Sequence, residues 1–265
     1  MHEPSALGAD GWSLTIGGEV EKPYSISLAE LSKLEKHSVV NTLECAGNGR
    51  SLHDPKVPGV QWGKGAVGNA RFTGVRLRDL LQRGGVKPTG KHVMFRGADE
   101  VPGNVPPFIR SIPIEKALDE DTLIALDMNG APLTKHHGFP ARAMVPGWIG
   151  AASCKWLTEI KVLDKEFIGN FMSPGYRVPN QPVKPGDAVK PEDTHPVTSL
   201  SVKSLIAAPL GWFGSEIADR ADPRCGMGGR SRNYARRCLD RRRCHLATGS
   251  TRSRQCALRL AALDA

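Results

Sequence analysis

Chemistry in this chain can be built around Cys45. It lies in "NTLECAGNGR", residues 41–50, where the β-favouring "HSVV" and Thr42–Glu44 run into Ala46, Gly47, Asn48 and Gly49. Those four residues suit only a tight turn, so the thiol stands where a strand breaks into a glycine loop, with Arg50 five residues on. A cysteine there can be a small core residue, a nucleophile or a metal ligand. As a nucleophile it needs a base or a cation, because a free thiol has a pKa of about 8.5. Arg50 and the histidines 37, 53, 92, 136 and 137 are available, but the sequence pairs none of them with it. As a metal ligand Cys45 has no nearby cysteine, which argues against a closed Cys-rich zinc site. One soft thiolate suffices where an organic cofactor supplies the remaining sulfurs.

The elements that must position these residues are strands and short helices. "WSLTIGGEV" predicts a strand and turn, and "SLAELSKL" a short helix with Ser27 and Glu30 at capping-box spacing. "SLHDPKVPGVQWGKGAVGNARFTG" is dense in Gly and Pro and reads as one long irregular stretch. "VRLRDLLQRGG" places Leu77, Leu80 and Leu81 on one helical face before a glycine stop. "KHVMFRGAD", "TLIALDMNG", "FPARAMVPGWIG" and "KWLTEIKVLD" read as strands, and "IPIEKAL" as a helical turn. The mixture lacks a βαβ rhythm, so the fold class is α+β, with mixed sheets and short helices. Prolines at 174, 179, 182, 185, 191 and 196 make 173–196 an extended linker or a chain that wraps its own domain. "VTSLSVKSLIAAPL" then opens what should be a second β unit.

Bulk properties narrow the partners. The 265 residues suffice for one large domain, or one domain and part of another. No run of about 18 apolar residues occurs, so no membrane helix is expected. "MHEPSALGADGW" lacks the regions of a signal peptide, so the chain as written is expected in the cytoplasm, or in the periplasm if a leader precedes it. The net charge of +9 is uneven: residues 211–265 hold 12 Arg, no Lys and five acidic residues. The rest is close to neutral, so an electrostatic case for nucleic acid rests on the tail alone, and no nucleic-acid partner is expected. Cys225, Cys238, Cys244 and Cys256 in that tail match no close-paired zinc spacing. Its abrupt change of composition reads as out-of-frame translation, or as a disordered basic arm.

Six separated segments together resemble the sulfite oxidase family of molybdenum enzymes. They are "TLECAGNGR", "WGKGAVGNARFTGVRLRDLL", "FRGAD", "SIPIEKALDEDTLIALDMNGAPL", "HGFPARAMVPGWIGAASCKWL" and "FMSPGYRVP", in order, over roughly residues 11–206. The resemblance implies a molybdopterin-binding catalytic domain over 1–200, and over 201–265 the start of an immunoglobulin-like dimerisation domain followed by the anomalous tail. It implies that Cys45 ligates molybdenum, and that Asp99, His137, Arg142, Ser153, Cys154 and Lys155 hold the molybdopterin. Arg142 and Lys155 suit a phosphate-bearing pterin, since cationic donors grip phosphate. Arg50 matches a substrate-pocket arginine and Trp62 a pocket tryptophan; Lys56 lies near a family lysine, in a loop that is shorter here. Taken singly, each has a plainer reading. Asp99 could be a turn residue, His137 a surface turn, Arg142 a solvated strand residue, Cys154 core packing and Trp62 a rim aromatic.

The implied reaction is oxygen-atom transfer, sulfite to sulfate, with electrons leaving to a separate acceptor such as a c-type cytochrome, since no haem-binding segment is recognisable. Family members are often homodimers, but the dimer domain is not legible here. Leu126 falls where sulfite oxidases proper often carry a tyrosine, and the family's Asn-His segment has no counterpart before Trp12. These departures keep other readings open: a reductase or oxidase of another small oxyanion or sulfoxide, an inactive truncated member, a basic nucleic-acid binder, or a cysteine-nucleophile enzyme.

Overall fold

Alternation along Ser13–Gly18 (β1) sends Leu14 and Ile16 into the core and leaves Ser13 and Thr15 exposed, the period of two expected of a strand. The computed structural model describes residues 7–99, 106–184 and 186–202. The expectations for the second β unit past Val202 and for the Arg/Cys-rich tail lie outside the described residues. β1 belongs to a five-stranded sheet ordered β2 (Tyr24–Ser27), β1, β10 (Leu157–Leu163), β5 (His92–Gly97) and β6 (Ile109–Pro113). β1 and β10 pair in parallel, with Thr15 opposite Glu159, and the other neighbours are antiparallel.

The second sheet runs β3 (His37–Glu44), β4 (Val67–Arg76), β7 (Leu123–Met128) and β8 (Ala131–Pro132), with β9 (Arg142–Met144) also pairing β7. Asn129 and Gly130, both at positive φ, make the β7–β8 turn, where Asn and Gly tolerate that conformation best. Three short helices complete this α+β fold: α1 (Leu28–Leu31), α2 (Leu77–Gly84) and α3 (Ile114–Ala117).

Local signals in the sequence account for the helix ends. Ser27 Oγ accepts the Glu30 amide at 3.3 Å and Glu30 Oε2 accepts the Ser27 amide at 2.9 Å, the reciprocal capping box. α2 buries Leu77, Leu80, Leu81 and Gly84 and stops at Gly85 with φ 68°. One expectation is corrected. The irregular stretch ends at Ala66, because "VGNARFTG" forms most of β4 and pairs residue for residue with β3, from Glu44–Val67 to His37–Gly74. Pairing with a well-formed neighbour outweighs the low strand propensity of its glycines and asparagine.

The main core gathers Leu14, Ile16, Ile26, Leu31, Leu80, Phe95, Ile112 and Ile160, and a smaller one forms around Phe72, Leu123 and Met144. The proline-rich stretch folds back on this body. β11 (Arg177–Pro179) and β12 (Thr194–Pro196) make an antiparallel pair, and Trp148 bridges to Ser199. Among the described residues no helix is long and apolar enough to cross a membrane. Leu80, 1 % exposed in the α2 contact with the sheets, sets a test of the core. Leu80→Ala should lower unfolding stability by about 2–5 kcal/mol. The measurement is a urea midpoint that falls with the slope unchanged.

Candidate functional site

β3 ends at Glu44, so its rigid pairing with β4 delivers Cys45 at the start of the turn. Asn48 ties that turn down at both ends. Its Nδ2 donates to Glu44 Oε1 at 2.9 Å, and its Oδ1 accepts the Ala66 amide at 3.0 Å. The Cys45 amide in turn donates to the Ala66 carbonyl at 2.9 Å. Gly47 lies between the thiol and the guanidinium of Arg50. Its amide donates to Cys45 Sγ at 3.4 Å, and a Cβ there would stand 2.8 Å from Arg50 Nη2. At Gly59, φ 108°, a Cβ would come within 2.5 Å of Arg50 Nη1. Only residues without side chains at both places let the arginine lie against the loop. Arg50 Nη1 is fixed by the Val60 carbonyl at 2.9 Å.

Trp62 is 45 % exposed, and its backbone carbonyl accepts the Ser51 amide at 3.0 Å, which sets it on the rim of this loop. Lys56 Nζ donates to the Ser51 carbonyl, so its charge is held against the same loop.

A second group of residues surrounds a cavity of about 540 Å³. Asp99, Arg142, Ser153, Cys154 and Lys155 line it, together with Gly97, Phe108, His136, Gly150, Ala151 and Trp156, which the sequence did not single out. The size suits a cofactor-scale ligand. Gly150 joins this cavity to the cysteine loop, since a Cβ there would stand 3.2 Å from the Glu44 carbonyl. His137 is placed differently. It lines a smaller cavity of about 230 Å³ that shares Arg142 as a wall, while its neighbour His136 faces the larger one.

Arg142 is 6 % exposed, not the solvated strand residue of the plain reading. Its Nη1 donates to the His137 carbonyl at 2.9 Å and Nη2 to the Ser153 carbonyl at 3.1 Å, while Nε is buried with no hydrogen-bond partner among the described residues. Burial pushes its pKa down to about 10. A buried cation with a spare donor favours an anion beside it. Lys155 reaches the His136 carbonyl at 3.0 Å and lies 4.1 Å from the Trp156 ring; burial, then Arg142, lowers its pKa. Ser153 spends its hydroxyl on the Val145 amide at 3.1 Å and is structural in that contact. Cys154 is 2 % exposed within the main core, and burial raises its thiol to about 12. Leu126 is likewise packed in the main core.

Two residues that meet each other escaped the sequence reading: Arg110, in β6, and Tyr176, in the wrapping segment, with the guanidinium 4.9 Å from the ring centre. Burial raises the pKa of the Tyr176 phenol above its ordinary value. The segment "FMSPGYRVP" was legible, but nothing in its composition singles out the tyrosine.

Together a lone strand-end cysteine and a cavity walled by two cations define a cofactor-binding domain. The model of the oxidoreductase molybdopterin binding domain matches residues 2–171, and the chain belongs to that family. It is 41 % identical to the mitochondrial sulfite oxidase of Drosophila melanogaster over 208 residues, 77 % of this chain and 36 % of the relative. It is 37 % identical to sulfite oxidase of Gallus gallus, over 77 % of this chain and 46 % of that one. Nitrate reductase [NADH] 2 of Phaseolus vulgaris is 33 % identical over 76 % of this chain and 24 % of its own length. The chain thus spans less than half the length of these relatives. The crystal structure of the sulfane dehydrogenase SoxCD from Paracoccus pantotrophus matches with a TM-score of 0.64 and 30 % identity, covering 78 % of this chain and 50 % of that one.

The residues present fit the family's molybdopterin cofactor. The cavity has the volume, Arg142 and Lys155 supply positive charge, and the unpartnered Arg142 Nε is a buried donor in want of an acceptor. Among the described residues no cluster of three His, Cys, Asp or Glu side chains could hold a metal by itself.

Cys154 provides a test of this division between its two described cysteines. At pH 8.5 iodoacetamide should leave Cys154 unmodified in the native protein and modify it only in urea, as read by peptide mass mapping. Its raised pKa means the folded state holds this proton through the window from 9.0 to about 12, so its contribution to stability falls as pH climbs through that window.

Proposed function

We propose that this chain is the catalytic domain of a molybdenum oxidoreductase that transfers an oxygen atom to a small oxyanion, sulfite becoming sulfate. The observation that carries the reading is the fixed pair of Cys45 and Arg50, bridged by Gly47 on one loop beside the cavity. The 41 % identity to a sulfite oxidase supports the choice of substrate. In this reading the Cys45 thiolate is the protein's ligand to molybdenum. Arg142 and Lys155 bind the anionic end of the molybdopterin, Asp99 and His137 orient it by hydrogen bonds, and Ser153 and Cys154 form the wall that carries them.

The bound cofactor supplies the two-electron redox chemistry. The chain supplies binding and charge. Arg50 offers guanidinium donors to the oxyanion and holds charge that develops on its oxygens. Trp62 and Lys56 form the rim, Trp62 restricting water and Lys56 adding positive potential that draws the anion in. Sulfite and water give sulfate, two protons and two electrons, and the electrons pass to a separate acceptor such as a c-type cytochrome.

A second reading, a reductase or oxidase of another small oxyanion or sulfoxide, draws support from the similarity to nitrate reductase and from Leu126, whose buried side chain offers no hydroxyl. A substrate panel on the purified protein separates the two.

The deciding experiment expresses the full chain in a host that makes the cofactor and measures metal, pterin and sulfite-dependent electron transfer. Molybdenum should approach one per chain and fall sharply in Cys45→Ser. Arg50→Met should keep its molybdenum but raise the KM for sulfite about 10- to 100-fold, the loss of one charge-assisted contact. A wild-type chain without molybdenum, or Arg50→Met with an unchanged KM, would sink the assignment.

A further inference from the structure

We propose that Trp156 is a positioning residue for the cofactor: its indole face holds the Lys155 ammonium on the wall of the large cavity, ready for the anionic end of the molybdopterin. The proposal rests on the function proposed above, which gives Lys155 that ligand, and adds the residue that aims it. It begins at the short turn Lys135–His137. The Lys135 carbonyl accepts Trp156 Nε1 at 2.7 Å, the His136 carbonyl accepts Lys155 Nζ at 3.0 Å, and the His137 carbonyl accepts Arg142 Nη1 at 2.9 Å. Trp156, Lys155 and Arg142 all line the same cavity. Successive carbonyls of one turn thus set an indole and two cations side by side.

The two cations are not held equally. Like charges on one wall repel. Arg142 is buried and fixed by two carbonyls, whereas Lys155 is a point charge on a flexible four-carbon stem. Burial, then Arg142, lowers the Lys155 pKa, and Asp99 opposes this. The second support for the ammonium is the Trp156 ring, whose centre lies 4.1 Å from Nζ. Tryptophan is the best aromatic partner for such a charge, and the contact strengthens as water is removed.

The backbone is bent to make this pair. Successive residues of an extended strand point to opposite faces, so Lys155 and Trp156 would ordinarily part company. Trp156 instead has φ 52°, a left-handed conformation that a bulky residue keeps only where its surroundings impose it. Its amide donates to the Gly138 carbonyl at 3.3 Å, and its carbonyl accepts the Ala98 amide at 2.9 Å. Gly138 also lets the lysine stem pass, since a Cβ there would stand 2.9 Å from Lys155 Cβ. Packing alone would leave the indole N–H and the ring face unassigned. Here one is spent on the turn and the other on the lysine.

The test uses the molybdenum-loaded full chain and follows loss of the cofactor with time, as pterin fluorescence in the protein-free filtrate. Wild type, Trp156→Leu, Trp156→Phe and Lys155→Met are compared, and each tryptophan variant is also made in the Lys155→Met background. Trp156→Leu should speed release about tenfold, and Trp156→Phe, which keeps an aromatic face but no N–H, about threefold. In the Lys155→Met background neither change should add anything, because no ammonium is left to hold. A tryptophan that acts only by packing would speed release equally in both backgrounds, and that result overturns the proposal. Tryptophan variants that release at the wild-type rate overturn it too. Should Trp156→Leu not fold, the Trp156→Phe pair decides alone. A Lys155→Met protein that releases at the wild-type rate removes the lysine from the cofactor site and the proposal with it, while the Cys45–Arg50 assignment stands. A wild-type chain that holds no molybdenum sinks both.

Discussion

A guanidinium taken out of water is the constraint on which the cavity depends. Arg142 projects from the three-residue strand β9 and is satisfied by two backbone carbonyls, His137 on one side and Ser153 on the other. Those carbonyls belong to the two turns that wall the cavity, so the arginine fixes their separation as well as its own position. Burial of such a charge is unfavourable unless dipoles and hydrogen bonds surround it. Two of its nitrogens meet that condition, and Nε does not.

The cysteine loop is set by a different force, the register of two strands. β3 and β4 are paired over their whole shared length, and the turn that follows is closed by Asn48 and by the amide of Cys45 itself. A slip of one residue would reverse every side chain of β3 and carry Glu44 from the interior to the other face. The position of the thiol is thus fixed by a ladder rather than by packing around the sulfur. That suits a ligand atom, which must stay accessible while its backbone does not move. Gly150 then connects this ladder to the cavity by close backbone approach to Glu44.

What could be read in the sequence divides along the same line. Features written in neighbouring residues were legible: the Ser27–Glu30 box, the apolar face and glycine stop of α2, and the strand-to-turn break at Cys45. Features that depend on a distant partner were not. Most of β4 carries glycines, an asparagine and exposed residues on both faces, so it acquires strand structure only because β3 lies beside it. β6 went unread for the same reason, hidden between a proline-rich run and α3. Of the site, Asp99, Arg142, Ser153, Cys154 and Lys155 line one cavity, while His137 lines the smaller cavity that shares Arg142, a placement no local sequence pattern announces. Arg110 and Tyr176 meet across 66 positions of chain, and no local pattern announces such a pair.

The three arginines therefore divide the work by burial. Arg50 is half-buried and cradled by glycines, the place the proposed function gives to a ligand that comes and goes. Arg142 lies deep in the wall, the place it gives to a ligand that stays. Arg110, deeper still, spends its donors on the chain itself and holds the wrapping segment in place. The graded exposure follows from one principle. A cation exposed to water exchanges partners readily, and a cation deprived of water must keep those it has. The proline-rich segment is a packed part of the domain, because its return across β6 sets the Phe171 and Val197 carbonyls on the Arg110 guanidinium. A chain that merely trailed from β10 would leave Arg110 without its two carbonyls, a buried charge without compensation.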